Sequence, residues 1–178
     1  GTVFVKHFEL SINDTNPVLR QRLETRLLVR DTNGLVYGAS YRWRPDYSDA
    51  DLVPVLTNEN VVITTATGTR TQLWSYPGRQ DCLTCHTIPS GGVLGVNTRQ
   101  LNGDFGYPQT SVTDNQIRAL NHVGLFSSPV SEPAIPGYAK LVPVTDTNAS
   151  LEFRVRSYLD ANCAHCHRPN GGVNAIFD

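Results

Sequence analysis

Every sulfur atom of the chain lies in two pentapeptides, Cys82-Leu83-Thr84-Cys85-His86 and Cys163-Ala164-His165-Cys166-His167. Both read C-x-x-C-H, the attachment pattern of a c-type haem. Thiols at i and i+3 project from one side of a helical turn and can add to the two vinyl groups on one porphyrin edge. The histidine that follows then reaches the iron from one face of the ring. Cys82, Cys85, Cys163 and Cys166 are therefore the expected anchors of two covalently bound haem c groups, with His86 and His167 as proximal ligands.

Other uses of paired cysteines account for less of the pattern. A four-thiolate zinc site explains neither histidine, and the 77 residues between Cys85 and Cys163 exceed the roughly 15 to 20 of a compact zinc pattern. A thioredoxin-like redox pair needs a βαβ context that is not evident. A disulfide framework needs no histidine.

The sixth iron ligand is the open question. The chain has no methionine and five histidines, so ligation by its own Met, which raises the potential, is impossible. The remaining histidines are His7, His122 and His165. His122 and His7 are the expected distal ligands, giving bis-His, low-spin iron. His165 sits between two cysteines and is turned away from the iron that His167 binds, which leaves it another haem, in this chain or a neighbour. Lys6 and the seven tyrosines are weaker reserves. An open site on one haem would turn a relay into a catalyst.

Around these residues the elements divide near Pro77-Gly78-Arg79, into a β-rich platform over 1–77 and a di-haem region over 78–178. Val3, Val5 and His7 alternate onto one strand face, which predicts an enclosed His7. Leu23, Thr25, Leu27 and Val29 alternate with Glu24, Arg26, Leu28 and Arg30. Asn33-Gly34 signals a hairpin, and Leu35, Tyr37, Ala39, Tyr41 and Trp43 line one face of the return strand. Val61-Val62-Ile63 and Arg70 to Tyr76 add two strands around Gly68.

Beyond the boundary, Pro89-Ser90-Gly91-Gly92 must turn sharply, and Thr98 to Asn102 suits a short helix. Thr113 and Gln116 match a capping box for a helix that carries His122 on the edge of its Ile117, Leu120, Val123 stripe. Four prolines between Ser127 and Val144 argue for extended chain. A helix over Ser150 to Ala161, with Leu151, Val155, Tyr158 and Leu159 as its buried stripe, runs into Cys163. The expected fold class is α+β: a small antiparallel β-sheet or half-sandwich, then a mainly helical, loop-rich c-type region.

Composition narrows the rest. With 178 residues, 39% hydrophobic and 17% charged, the chain suits one ordinary domain or two small ones. A net charge of -1 offers no footing for nucleic acid. No apolar run approaches the roughly 20 residues of a membrane span. Covalent haem is attached outside the cytoplasm, so a periplasmic or extracellular location is expected, with the export signal removed and the chain a piece of something longer.

The haem part resembles a family of bacterial cytochrome-c-like modules found in large secreted proteins, sometimes beside glucose/sorbosone-dehydrogenase-like propellers that use pyrroloquinoline quinone. The matching stretches are 74–77, 81–87, 93–102, 119–126 and 158–169, with the two haem motifs the most specific; 1–6 and 23–29 are similar as well. The resemblance implies electron transfer outside the cytoplasm and a chain that continues past the second motif. The catalytic propeller is absent, so no dehydrogenase activity is implied.

The expected function is a di-haem cytochrome that relays single electrons between a redox protein donor and an acceptor, rather than an enzyme. Candidate partners are a pyrroloquinoline-quinone dehydrogenase or other copies of the chain in a multi-subunit haem chain. The rivals are a di-haem peroxidase-like enzyme with one open iron, a zinc-stabilised structural module and a haem-bearing sensor.

Overall fold

The computed structural model describes residues 1–171 and 173, and these divide into two compact units, Gly1–Val93 and the chain from Leu94 on. The first C-x-x-C-H belongs to the first unit and the second motif to the second.

The first unit is built on a four-stranded antiparallel sheet in the order β1 (Thr2–Ser11), β2 (Arg20–Arg30), β3 (Val36–Trp43), β4 (Ala50–Val53). Asp31 makes the β2–β3 turn: its carboxylate accepts from the N–H groups of Asn33 and Leu35, both at 2.9 Å, and Gly34 takes the left-handed conformation that the reversal requires, with φ of 86°. A second hairpin, β5 (Thr57–Thr65) and β6 (Gly68–Tyr76), closes at Thr65 and Gly68. Leu23, Val53, Val61 and Tyr76 form the core between sheet and hairpin, with Leu10, Ile12 and Trp74 packed on it. Helix α1 (Arg79–Cys85) follows the hairpin and packs on β3.

Alternation located the strands but misjudged which face is covered. The face with Val3, Val5 and His7 is open: Val3 and Val5 are 55% and 57% exposed, and His7 is exposed too. The small residues Gly38 and Ser40 on the other face are buried, because a helix approaches a strand most closely where side chains are short.

The second unit corrects the expected fold class. Among the described residues the structure is mostly antiparallel β, with 35% strand, 21% helix and eight strands in three sheets, not a sheet followed by a mainly helical region. An unforeseen hairpin, β7 (Asp104–Tyr107) and β8 (Val112–Asn115), lies between two short helices. Its strands hold Phe105 and Tyr107, stacked edge to face at 5.0 Å, and Val112, residue types that suit a pleated surface.

Helices α2 (Thr98–Leu101) and α3 (Gln116–His122) span 4 and 7 residues. Thr113 does not cap α3, since it pairs with Gly106 inside the hairpin. Asn115 caps it, accepting from the Ile117 N–H at 2.9 Å. The proline-rich stretch is not wholly extended, for Glu132–Gly137 forms a 3-10 helix around Pro133 and Pro136. Proline costs little at the first positions, where its missing N–H has no partner to lose.

Helix α4 (Leu151–Asn162) starts at Ser150, whose hydroxyl accepts from the Phe153 N–H at 3.2 Å, and leads into Cys163. Its buried residue is Ser157, which accepts from the Val142 N–H at 3.2 Å. The expected buried stripe faces outward, with Leu151, Val155 and Tyr158 exposed.

Candidate haem-attachment sites

At the first motif, α1 is short and its start is fixed: the Asp81 carboxylate accepts from the Gly78 N–H at 2.8 Å. Cys82 and Cys85 fall one turn apart, half-buried, with free thiols. Burial pushes the Cys82 thiol above its ordinary pKa, against the pull of Arg26. Gly38 makes the approach possible, since a Cβ there would lie 2.5 Å from Cys82 Sγ.

His86 ends α1, its N–H bonded to the Cys82 carbonyl at 3.0 Å. Its Nδ1 lies 2.7 Å from the Gly92 carbonyl oxygen, so Nδ1–H donates and Nε2 keeps its lone pair for a metal. A proximal histidine needs this polarity, because the second bond sets the tautomer and the ring orientation.

The loop behind it is built for that bond. The buried Ser90 hydroxyl donates to the Cys85 carbonyl at 2.8 Å and accepts from the Thr87 N–H at 2.9 Å. Gly91 and Gly92 adopt φ of 84° and 73°, which turns the Gly92 carbonyl onto the ring. Pro89 to Gly92 read as a sharp turn in the sequence, but the roles of Ser90, Gly92 and Gly38 did not. The Gly91-Gly92 pair close behind the motif was the available signal.

His86 opens into a cleft of about 390 Å³, lined also by Leu35, Val36, Leu83 and Ile88. Leu35, Leu83 and Ile88 are exposed around it. Thiols on one helical face, an oriented imidazole and an apolar cleft beside it fit a porphyrin at Cys82 and Cys85.

The second motif continues α4 as a turn. The Cys163 N–H bonds to the Leu159 carbonyl at 2.8 Å, and the N–H groups of Cys166 and His167 both bond to the Cys163 carbonyl at 3.0 Å. Cys163, His165, Cys166 and His167 are each half-buried. Ala164, between the cysteines, lines a groove of about 620 Å³ with Leu151, Val155 and Leu159. The stripe of α4 thus offers an uncovered apolar wall next to the attachment point, which fits a second macrocycle. Arg99 braces the helix through Asp160 at 2.5 Å.

The distal candidates separate. His7 pairs across β1–β2 with Thr25, whose hydroxyl is 2.7 Å from His7 Nδ1. Thr25 pairs in turn with Tyr41, three residues from Gly38, so His7 occupies the sheet face opposite α1. It is not placed to meet the iron at His86. His122 is exposed in the last turn of α3, and its ring has no hydrogen bond among the described residues. Among the described residues no three His, Cys, Asp or Glu side chains converge as a metal cluster.

Comparison with protein-family models, with curated proteins and with solved structures finds no match to the chain.

Proposed function

We propose that the chain is a di-haem c-type cytochrome that carries electrons outside the cytoplasm. The observation that carries this reading is the pair of C-x-x-C-H turns, the first with its histidine oriented through Nδ1 by the Gly92 carbonyl. Cys82, Cys85 and His86 would hold one haem, and Cys163, Cys166 and His167 the other. Each haem supplies a one-electron couple. The donor is oxidised by one electron, the acceptor is reduced by one, and the chain is returned unchanged. The protein's part is ligation, burial and spacing.

The separation of donors into two motifs, each with its own apolar wall, favours haem over a shared zinc site. His122, exposed with both ring nitrogens unengaged, is the distal ligand retained from the sequence, whereas His7 is withdrawn from the first iron by the sheet between them. Export to the periplasm or beyond, and a redox protein or a second copy of the chain as partner, complete the proposal.

The test is intact mass combined with optical and paramagnetic-resonance spectra. A mass increased by two porphyrins that resist acid extraction, with low-spin iron, is expected. A colourless protein refutes the proposal. Carbon monoxide binding to the reduced protein without denaturation would favour the peroxidase-like alternative.

A further inference from the structure

Arg30 stands out among the cations of the first unit. It is exposed at the end of β2, and its side chain has no ion pair, hydrogen bond or ring contact among the described residues. The other arginines of that unit are engaged by a carboxylate, a carbonyl or an aromatic ring. The neighbouring acid, Asp31, is spent on the backbone of its own turn.

The register gives this unpaired charge a place. Arg30 lies directly opposite Val36 on β3, and cross-strand partners share a face. Val36 lines the cleft at His86, and a Cβ on Gly92 would lie 3.0 Å from its Cγ1. Gly38, two residues on, is the one against Cys82. Arg30, the cleft and the anchoring thiols thus share one face of the sheet. The guanidinium reaches Gly34, itself in the cleft wall, where a Cβ would lie 3.4 Å from Nη2.

A c-type porphyrin is tethered at its vinyl edge and carries two carboxylates at the opposite edge. From Gly38 back to Val36, the partner of Arg30, is about 7 Å at strand rise, and the length of the arginine side chain extends that reach towards the far edge of a macrocycle. We infer that Arg30 receives a propionate of the haem anchored at Cys82 and Cys85, clamping its free edge in the cleft beside His86. The inference rests on the proposed function and adds the residue that fixes the orientation of one haem. A planar, permanently charged guanidinium suits a carboxylate better than an ammonium does.

The test compares Arg30→Gln, Arg30→Lys and the control Arg20→Gln in the full haem-loaded chain, by spectroelectrochemical titration and intact mass. Losing a cation beside a propionate leaves extra negative charge near the iron and favours the ferric state. Arg30→Gln is expected to move one of the two midpoint potentials negative and leave the other in place. Arg30→Lys should restore most of the shift, and Arg20→Gln should move neither. If Arg30→Gln instead lowers haem occupancy at the first motif and Lys rescues it, the assignment also stands. Unchanged potentials with full occupancy in Arg30→Gln, or an equal shift in Arg20→Gln, overturn it. Absence of covalent haem in the unmutated chain defeats the functional reading itself, and intact mass reveals this before any titration.

Discussion

Ser90 concentrates several backbone obligations in one hydroxyl. It is 6% exposed and serves both the Cys85 carbonyl and the Thr87 N–H. Replacing it with alanine removes the bond to the Cys85 carbonyl and leaves the Thr87 N–H with that carbonyl, at 2.9 Å, as its acceptor, a loss of about 0.5–1.5 kcal/mol. Ser90→Ala should lower the denaturation midpoint and, because the same loop aims the Gly92 carbonyl at His86, raise the high-spin fraction of one haem. Denaturant titration and paramagnetic resonance check the two effects.

The pentapeptides were legible in the sequence because their chemistry is local. The bond from His86 to Gly92 was not, since it depends on two left-handed glycines whose conformation no spacing rule supplies. His7 was misjudged for a different reason. Alternation assigns residues to two faces but does not say which face is covered.

Among the elements, the contact between α1 and β3 is the most exacting. Gly38→Ala puts a methyl group 2.5 Å from Cys82 Sγ and 2.7 Å from its Cβ. Helix or strand must give way, at about 1–3 kcal/mol for overpacking. The variant should be less stable and should lose haem selectively from the first motif, read by intact mass and by peptide mapping.

In the second unit, Asn102 ties three elements together. Its amide donates to the carbonyls of Ile135 and Tyr138 at 3.2 and 2.8 Å, and its oxygen accepts from Asn115, the cap of α3, at 2.9 Å. Asn102→Ala orphans these partners and should destabilise by about 2–3 kcal/mol, with His122 held less firmly as a consequence. Thermal melts and the haem spectrum measure both. Five strands of the first unit were readable from alternation and from the turn signals at Asn33-Gly34 and Gly68, whereas the four-residue β4 was not. The hairpin of the second was not, because its strands of 4 residues are too short for a period to register.

For the molecule as a whole, alkaline stability turns on Tyr76. It is 1% exposed, donates to Glu59 at 2.8 Å, and burial holds its phenol far above the ordinary tyrosine range. The folded chain keeps this proton where the unfolded chain has released it. The stabilisation is therefore complete below about pH 10 and declines as pH rises further. An ultraviolet pH titration should show one of the seven tyrosines ionising only with unfolding. Tyr76→Phe should remove that late step. Simultaneous ionisation of all tyrosines in the folded protein would contradict the assignment.

The two attachment turns belong to different compact units, one before Val93 and one after Leu94. On the proposed reading, with export led by the amino terminus, the first motif would meet haem while the second is still to come. Maturation should therefore be stepwise, and cells starved of haem should accumulate a species carrying one porphyrin, on the amino-terminal half, in preference to a mixture of empty and fully charged chains.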